Sequence, residues 1–357
     1  MTIDQLVHHF AGWLDNSGEY SEIVISSRAR LARNLDSVPF ASRASKDDLS
    51  QVLNSLLAIR EQSSYLKDIL FFDINQLSKI DRQILVERHL ISPTLAEGKD
   101  QPQGILLDEQ EVKSVMVNEE DHLRLQAIQS GFQLQEVWAL VDGMDDEISR
   151  LLDYSFSEKL GYLTACPSNV GTGLRVSVLI HLPALVLTQE IEKVLRAIAQ
   201  VGMTVRGFYG EGTEVLGNFF QISNQVTLGK SEEQIIKSLI KIVTEVIEYE
   251  LKERQTLIKD ASYQLEDKIW RALGILENAR LLTTEEFMNL SSAARLGRSM
   301  ELTSYPDFKT LNQLTVIVQP SHLQKLAGRY LESSERDIFR ANIVRERLQQ
   351  TTTTPKR

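Results

Sequence analysis

Apolar residues recur at three- and four-residue spacing over Asp4–Leu14, Asp47–Leu70 and Leu134–Leu152, the period of a helix with one buried face. Between these stretches the period drops to two. Glu22–Leu31, Gly104–Asp108, Val112–Val117, Leu123–Ile128, Leu174–Leu182, Val205–Tyr209 and Phe219–Val226 alternate or are β-branched, and Gly, Asn or Asp bounds them, which predicts strands. Past Ser231 the strand pattern stops. Glu232–Glu250, Ala261–Leu282, Thr284–Leu296 and Ser321–Gln349 read as helices, and the polar run Thr351–Arg357 as a frayed end. The expected fold class is α+β, a mainly antiparallel sheet flanked by helices and followed by an all-helical C-terminal part. The change falls between residues 250 and 260, dividing the chain into a domain over 1–255 and another over 256–357.

With 357 residues the chain has room for about two domains. Its 39 Lys and Arg against 49 Asp and Glu give a net charge of −10, which argues against nonspecific nucleic-acid binding but permits a local basic pocket. The longest apolar stretch, Val176–Leu187, is broken by His181 and Pro183 and is too short to span a membrane. Met1–Asp15 lacks the regions of a signal peptide, so a cytoplasmic protein is expected. The single Cys166 excludes an internal disulfide and a Cys-based zinc site.

The placement of the arginines narrows the chemistry. Strand alternation in the Ile23–Leu31 run puts Arg28 and Arg30 on one face and Ala29 and Leu31 on the other. Arg124 lies opposite Leu123 and Leu125, Arg175 opposite Leu174 and Val176, and Arg206 follows the same pattern. Five guanidiniums gathered on one sheet face need an anion, and the planar fork of Arg suits phosphate oxygens. A nucleotide triphosphate satisfies the cluster; separate pairing of each Arg with a surface carboxylate is the alternative. No Gly-x4-Gly-Lys-Ser/Thr loop and no Gly-x-Gly-x-x-Gly turn between strand and helix is present. The glycines of Cys166-Pro-Ser-Asn-Val-Gly-Thr-Gly-Leu-Arg175 instead allow close backbone approach just before the Arg175 strand.

Two acids stand at strand ends beside this cluster, Glu120 in Asn118-Glu-Glu-Asp-His122 and Glu211 in Gly210-Glu-Gly212. Carboxylates there can hold a guanidinium against a terminal phosphate. An attacking guanidinium nitrogen must shed a proton, and either acid is a candidate base. Cys166 is a candidate thiolate, since positive surroundings favour the ionised thiol, with an inert core Cys as the alternative. His122 and His181 lack ligand spacing and read as hydrogen-bonding or core residues.

Taken together, Ser26-Ser-Arg-Ala-Arg30, Asn118-Glu-Glu-Asp-His122, the Cys166–Arg175 run and Arg206-Gly-Phe-Tyr-Gly-Glu211 resemble the catalytic domain of the phosphagen (ATP:guanido) kinases. The closer resemblance, over residues 20 to 250, is to the bacterial protein arginine kinases of the McsB type. It implies phosphoryl transfer from ATP with Mg²⁺ to a guanidinium. Arg28, Arg30, Arg124, Arg175 and Arg206 would hold the phosphates, Glu120 and Glu211 the substrate guanidinium, and Cys166 would assist; no protein-held metal is implied.

Arg336-Asp-Ile-Phe-Arg-Ala341 resembles the phosphoarginine-binding motif of the same kinases, implying roles for Arg336, Asp337, Arg340 and Ala341. On residue pattern alone this is a solvated helix face. Gly212 and Leu179 stand where small-molecule guanidino kinases carry histidines, so their adenine contacts do not transfer. Ser26 leaves no room for the helical N-terminal domain of those enzymes, and an open site suits arginines on proteins. The resemblance further implies a homo-oligomer, substrates such as the repressor CtsR and misfolded proteins, an McsA-like activator, and marking for the ClpC/ClpP protease in the stress response. The rival readings are a kinase of free guanidino compounds and a non-catalytic adapter that binds nucleotide or phosphoarginine.

Overall fold

The computed structural model of the chain describes residues 2–208 and 216–353. Among them the strands are β1 (Val24–Arg33), β2 (Leu70–Asp73), β3 (Gly104–Leu107), β4 (Lys113–Val117), β5 (Leu123–Ser130), β6 (Phe156–Ser157), β7 (Gly161–Tyr162), β8 (Leu174–His181), β9 (Met203–Arg206) and β10 (Phe219–Asn224). The helices are α1 (Ile3–His8), α2 (Lys46–Ile59), α3 (Lys79–Glu87), α4 (Pro93–Glu97), α5 (Leu134–Ser149), α6 (Pro183–Leu187), α7 (Ile191–Gln200), α8 (Glu232–Asn278), α9 (Thr284–Ser299), α10 (Phe308–Ile317), α11 (Pro320–Ala327) and α12 (Ser333–Thr353).

Eight strands form one antiparallel sheet in the order β2-β3-β4-β5-β1-β8-β10-β9, and β6 and β7 pair as a small separate ladder. Strand β1 is the spine, paired on both sides over most of its length. Its odd positions Ala29 and Leu31 join Leu125, Ala127, Val176 and Val178 in a core covered by α2, α5 and the first half of α8. The other sheet face is apolar at its two ends: Ile25, Ile128, Leu179 and Phe219 pack with Ile269, Phe287 and Leu311 of the C-terminal helices, and Ile105, Leu107 and Met116 pack with Ile84, Leu85 and Leu95 of α3 and α4. Each such side chain contributes about 1.5–3 kcal/mol on burial, so the first of these ends binds the C-terminal helical part firmly to the sheet. The middle of that face is left to polar groups.

The antiparallel sheet and the helical C-terminal part match the expected class. Four local expectations fail. The helix expected over Asp4–Leu14 ends at His8, where His9 turns extended (φ −80°, ψ 146°), and only a single 3-10 turn follows at Gly12–Leu14. The helix expected over Asp47–Leu70 stops at Ile59 because the Ser63 hydroxyl accepts hydrogen bonds from the N–H groups of Tyr65 and Leu66 and turns the chain into β2. The segments Glu232–Glu250 and Ala261–Leu282 join in the single helix α8, in which only Ala261 leaves helical geometry (φ −147°, ψ 35°). The helix expected over Ser321–Gln349 breaks at Gly328, whose left-handed φ of +65° ends α11. Among the described residues no helix is long and apolar enough to cross a membrane.

Candidate active site

Alternation along β1 lifts Arg28, Arg30 and Ala32 to the polar sheet face. Register then assembles the rest: Arg30 lies opposite Arg175 on β8 and Gln126 on β5, Ala32 opposite Arg124, and Gln221 on β10 opposite Arg206 on β9. All five arginines line one cavity of about 490 Å³, together with Glu119, Glu120 and Cys166. Glu211, and with it Tyr209–Val215, lies outside the described residues.

Glu119 is the site residue that strand periodicity misses. Asn118 has a left-handed φ of +57°, so the two glutamates sit on a turn, where alternation no longer says which way a side chain points. Arg124 forms an ion pair with Glu119 Oε2 at 2.6 Å and donates a hydrogen bond to Glu120 Oε2 at 3.2 Å. Glu119 is buried, and its other oxygen accepts from the Ser92 hydroxyl at 2.5 Å, whereas the Glu120 side chain is 42% exposed. Neighbouring acids therefore have different tasks: Glu119 fixes Arg124, and Glu120 keeps a carboxylate open to the cavity.

The cluster carries more positive charge than these acids balance. Burial, then Arg175 and Arg124, push the Arg28 guanidinium down to about 10. Arg30 is pushed well below its ordinary value by burial, then by Arg28, Arg124 and Arg175, against a smaller opposing effect of Glu119. Arg30 Nε is buried without a hydrogen-bond partner among the described residues. Desolvated donors of one sign around a cavity are the features of a polyanion site.

His89 lines the same cavity, at a left-handed φ of +60°. Burial, followed by Arg28 and Arg30, depresses its pKa to about 3. The unfolded chain takes up a proton near pH 6.5 that folded His89 refuses until about pH 3, so this contribution to stability is whole above 6.5 and is lost as pH falls. At pH 5 the loss is about 1–2 kcal/mol. Urea midpoints compared at pH 7.5 and pH 5 are expected to show it, and His89→Gln to diminish the difference; an undiminished difference would assign the acid sensitivity to other groups.

A buried network aligns the Glu120 turn with the Cys166 loop. Asn34 Nδ2 donates to Asp121 Oδ1 at 2.7 Å, the same oxygen accepts the Ala165 N–H at 2.7 Å, and Asn34 Oδ1 accepts the His122 N–H at 2.9 Å. His122 Nδ1 accepts from the Leu35 N–H, which leaves its proton on Nε2 to donate to the Pro39 carbonyl at 2.9 Å. His181 likewise bonds Ser292 at 2.8 Å, so both histidines are hydrogen-bonding residues. Arg33 pairs with Asp145 and donates to the Thr172 carbonyl at 2.9 Å, with its guanidinium 3.5 Å from the Tyr162 ring centroid. Gly173 (φ +66°) passes so close that a Cβ would meet the Ala32 carbonyl at 2.7 Å. Cys166 Sγ lies 3.0 Å from Ser168 Oγ at the cavity wall.

Arg336, Asp337, Arg340 and Ala341 lie on α12 and do not line the cavity. Arg340 and Ala341 are buried and Arg336 is half-buried. Arg340 donates to the carbonyls of Val318 and Leu282 at 3.0 and 2.7 Å and to Asp337 at 2.7 Å, while Arg336 donates to the Leu331 carbonyl at 2.9 Å.

Residues 50–253 match the family described as ATP:guanido phosphotransferase, C-terminal catalytic domain, and residues 262–357 match the Protein-arginine kinase McsB C-terminal domain. The chain is similar to the protein-arginine kinase of Pelotomaculum thermopropionicum, with 48% identity over 349 residues that cover 97% of this chain and 98% of the relative. It is also similar to that of Geobacillus stearothermophilus, with 46% identity over 345 residues covering 96% and 94%. In fold it is similar to lombricine kinase, with a TM-score of 0.59 and 24% identity over 70% of this chain and 75% of that one.

Proposed function

The chain belongs to the ATP:guanido phosphotransferase family, in its protein-arginine kinase branch, and on that premise we propose that the arginine cavity transfers the γ-phosphoryl group of MgATP to arginine side chains of proteins. The observation that carries this reading is the five guanidiniums on one sheet face, two of them with depressed pKa values, with Arg30 Nε buried and without a partner among the described residues. These residues fit a triphosphate. Arg28, Arg30, Arg124, Arg175 and Arg206 would hold its oxygens in forked pairs. Bound MgATP supplies the phosphoryl group, with Mg²⁺ sharing the phosphate charge largely through water.

Glu120 faces the cavity with a carboxylate that can take two N–H groups of a substrate guanidinium and set its nitrogen toward the phosphates. As the N–P bond forms, the nitrogen loses a proton to a carboxylate, Glu120 or Glu211, and the terminal phosphate leaves ADP. Cys166 borders the guanidinium position. Fixed charge and alignment supply the catalysis.

The test incubates the protein with MgATP and an unfolded Arg-rich protein, with free arginine in parallel, and assays phosphoarginine by mass spectrometry without acid. Phosphoarginine on protein alone is expected. Phosphorylation of free arginine would point to a small guanidino substrate instead, and nucleotide binding without either product to an adapter.

The resemblance of the C-terminal segment supports three finer readings: a second site at Arg336–Ala341 that reads phosphoarginine, marking of substrates for a Clp protease under stress, and control by an McsA-like partner. Tyr263 and Trp270, 85% and 51% exposed on α8, support self-association through the helical part.

A further inference from the structure

Helix α3 ends in Glu87, followed by Arg88 and His89; Glu87 reaches the C-terminal helices and His89 lines the arginine cavity. Glu87 is buried and reaches the start of α11, accepting the N–H groups of Ser321 at 2.8 Å and His322 at 3.1 Å. It also bonds His322 Nδ1 at 2.7 Å. A carboxylate at this place caps two orphan donors of the helix and meets the positive end of its dipole. Arg88 is buried in an ion pair with Glu111, 2% and 0% exposed, and donates to the His9 carbonyl at 3.1 Å.

His89 follows with no slack. Its carbonyl accepts from Gln126 Nε2 at 3.0 Å, beside Arg124 on β5. Its ring is held edge-on between Trp13 and Phe208, with centroids at 5.4 and 5.2 Å. Trp13 and Phe208 belong in turn to the core shared with the C-terminal helices.

We propose that Glu87 is a positioning residue for phosphoryl transfer. By capping α11 it fixes where α3 ends, and so holds Arg88 and the His89 wall of the nucleotide cavity in place. The C-terminal helices thereby set a dimension of a site to which, among the described residues, they contribute no cavity-lining side chain. This rests on the reading of that cavity as the nucleotide site.

The test uses the full chain with Trp138→Phe and Trp270→Phe, so that emission reports Trp13 alone. Glu87→Gln replaces an acceptor with an amide that must turn a donor toward an N–H. It is expected to shift Trp13 emission and to raise the Kd for MgATP about tenfold, since small misplacements of a site wall weaken it at that scale. Val344→Ala, which opens a cavity in the same C-terminal core, is expected to lower the melting temperature and leave both readouts unchanged.

Wild-type emission and affinity in Glu87→Gln would overturn the proposal, as would equal changes in Val344→Ala. Should Glu87→Gln fail to fold, His322→Asn removes the ring bond alone and is expected to move both readouts in the same direction by less; no movement would again overturn it. A shifted Trp13 in Glu87→Gln, with no MgATP binding by the parent protein, would support the Glu87 to His89 linkage and refute the nucleotide reading of the cavity.

Discussion

Replacing Arg30 with Met is expected to reduce phosphoryl transfer by about 10³-fold or more and, in the same protein, to raise the melting temperature. The loss of activity follows from removing a donor at the centre of the phosphate cluster. The gain in stability follows from the same residue's surroundings. Arg30 is half-buried, faces Arg28, Arg124 and Arg175, and is pushed well below its ordinary pKa, so folding holds its charge in an unfavourable place. Exchanging buried charges for apolar groups of similar volume is often neutral or stabilising, by about 1–4 kcal/mol. Thermal unfolding with and without MgATP checks both halves. The parent should gain stability from the nucleotide by mass action, and the variant should start higher and gain little. A lower melting temperature for Arg30→Met would mean that the guanidinium is balanced in the folded protein.

Glu120→Gln is expected to lower kcat by about 10²–10³-fold while changing the KM for ATP by less than about threefold. The amide keeps the shape and one acceptor for Arg124, but it cannot take a proton or hold a guanidinium with two anionic oxygens. Its neighbour should behave in the opposite way. Glu119 is buried and makes the shorter ion pair with Arg124, 2.6 Å against 3.2 Å, so Glu119→Gln is expected to act mainly on the KM for ATP. Steady-state kinetics on an Arg-containing protein substrate separates the two. Equal effects on kcat from both variants would remove the division of roles.

Strand period was enough to place the five arginines, because a side chain's face depends only on parity once the strand exists, and the registers of β1 with β5 and β8 keep that parity. Glu120 and Cys166 were legible for a related reason, since strand ends and the loops entering them converge on one sheet edge. Glu119 was not, since a residue inside a turn has no parity. The helices α3, α4, α6, α7 and α10 went unread because they are short, 5 to 10 residues each, and a period seen for at most about three turns does not stand out from its surroundings, even where α7 sets Ile191, Val194, Leu195 and Ile198 at helical spacing. The continuity of α8 was hidden by its polar stretch around Ala261, where a break and a bend look alike in sequence. Nor did any local signal show that Glu87 would meet Ser321 and His322, 234 and 235 residues away.

Order of synthesis gives the central strand a further consequence. Arg33 reaches the Thr172 carbonyl 139 residues further along the chain, and β1 cannot acquire its β8 neighbour before that stretch has been made. At about 5–20 residues per second the interval is about 7–30 s, during which Arg28 and Arg30 remain apart from Arg175. Contacts so distant in sequence also make for slow folding. A ribosome-bound chain can therefore bring Arg28, Arg30 and Arg124 together through β1 and β5, while the added repulsion of Arg175 is incurred only after β1 to β5 exist to oppose it. Nascent fragments ending before β8 should neither retain nucleotide nor act on neighbouring chains.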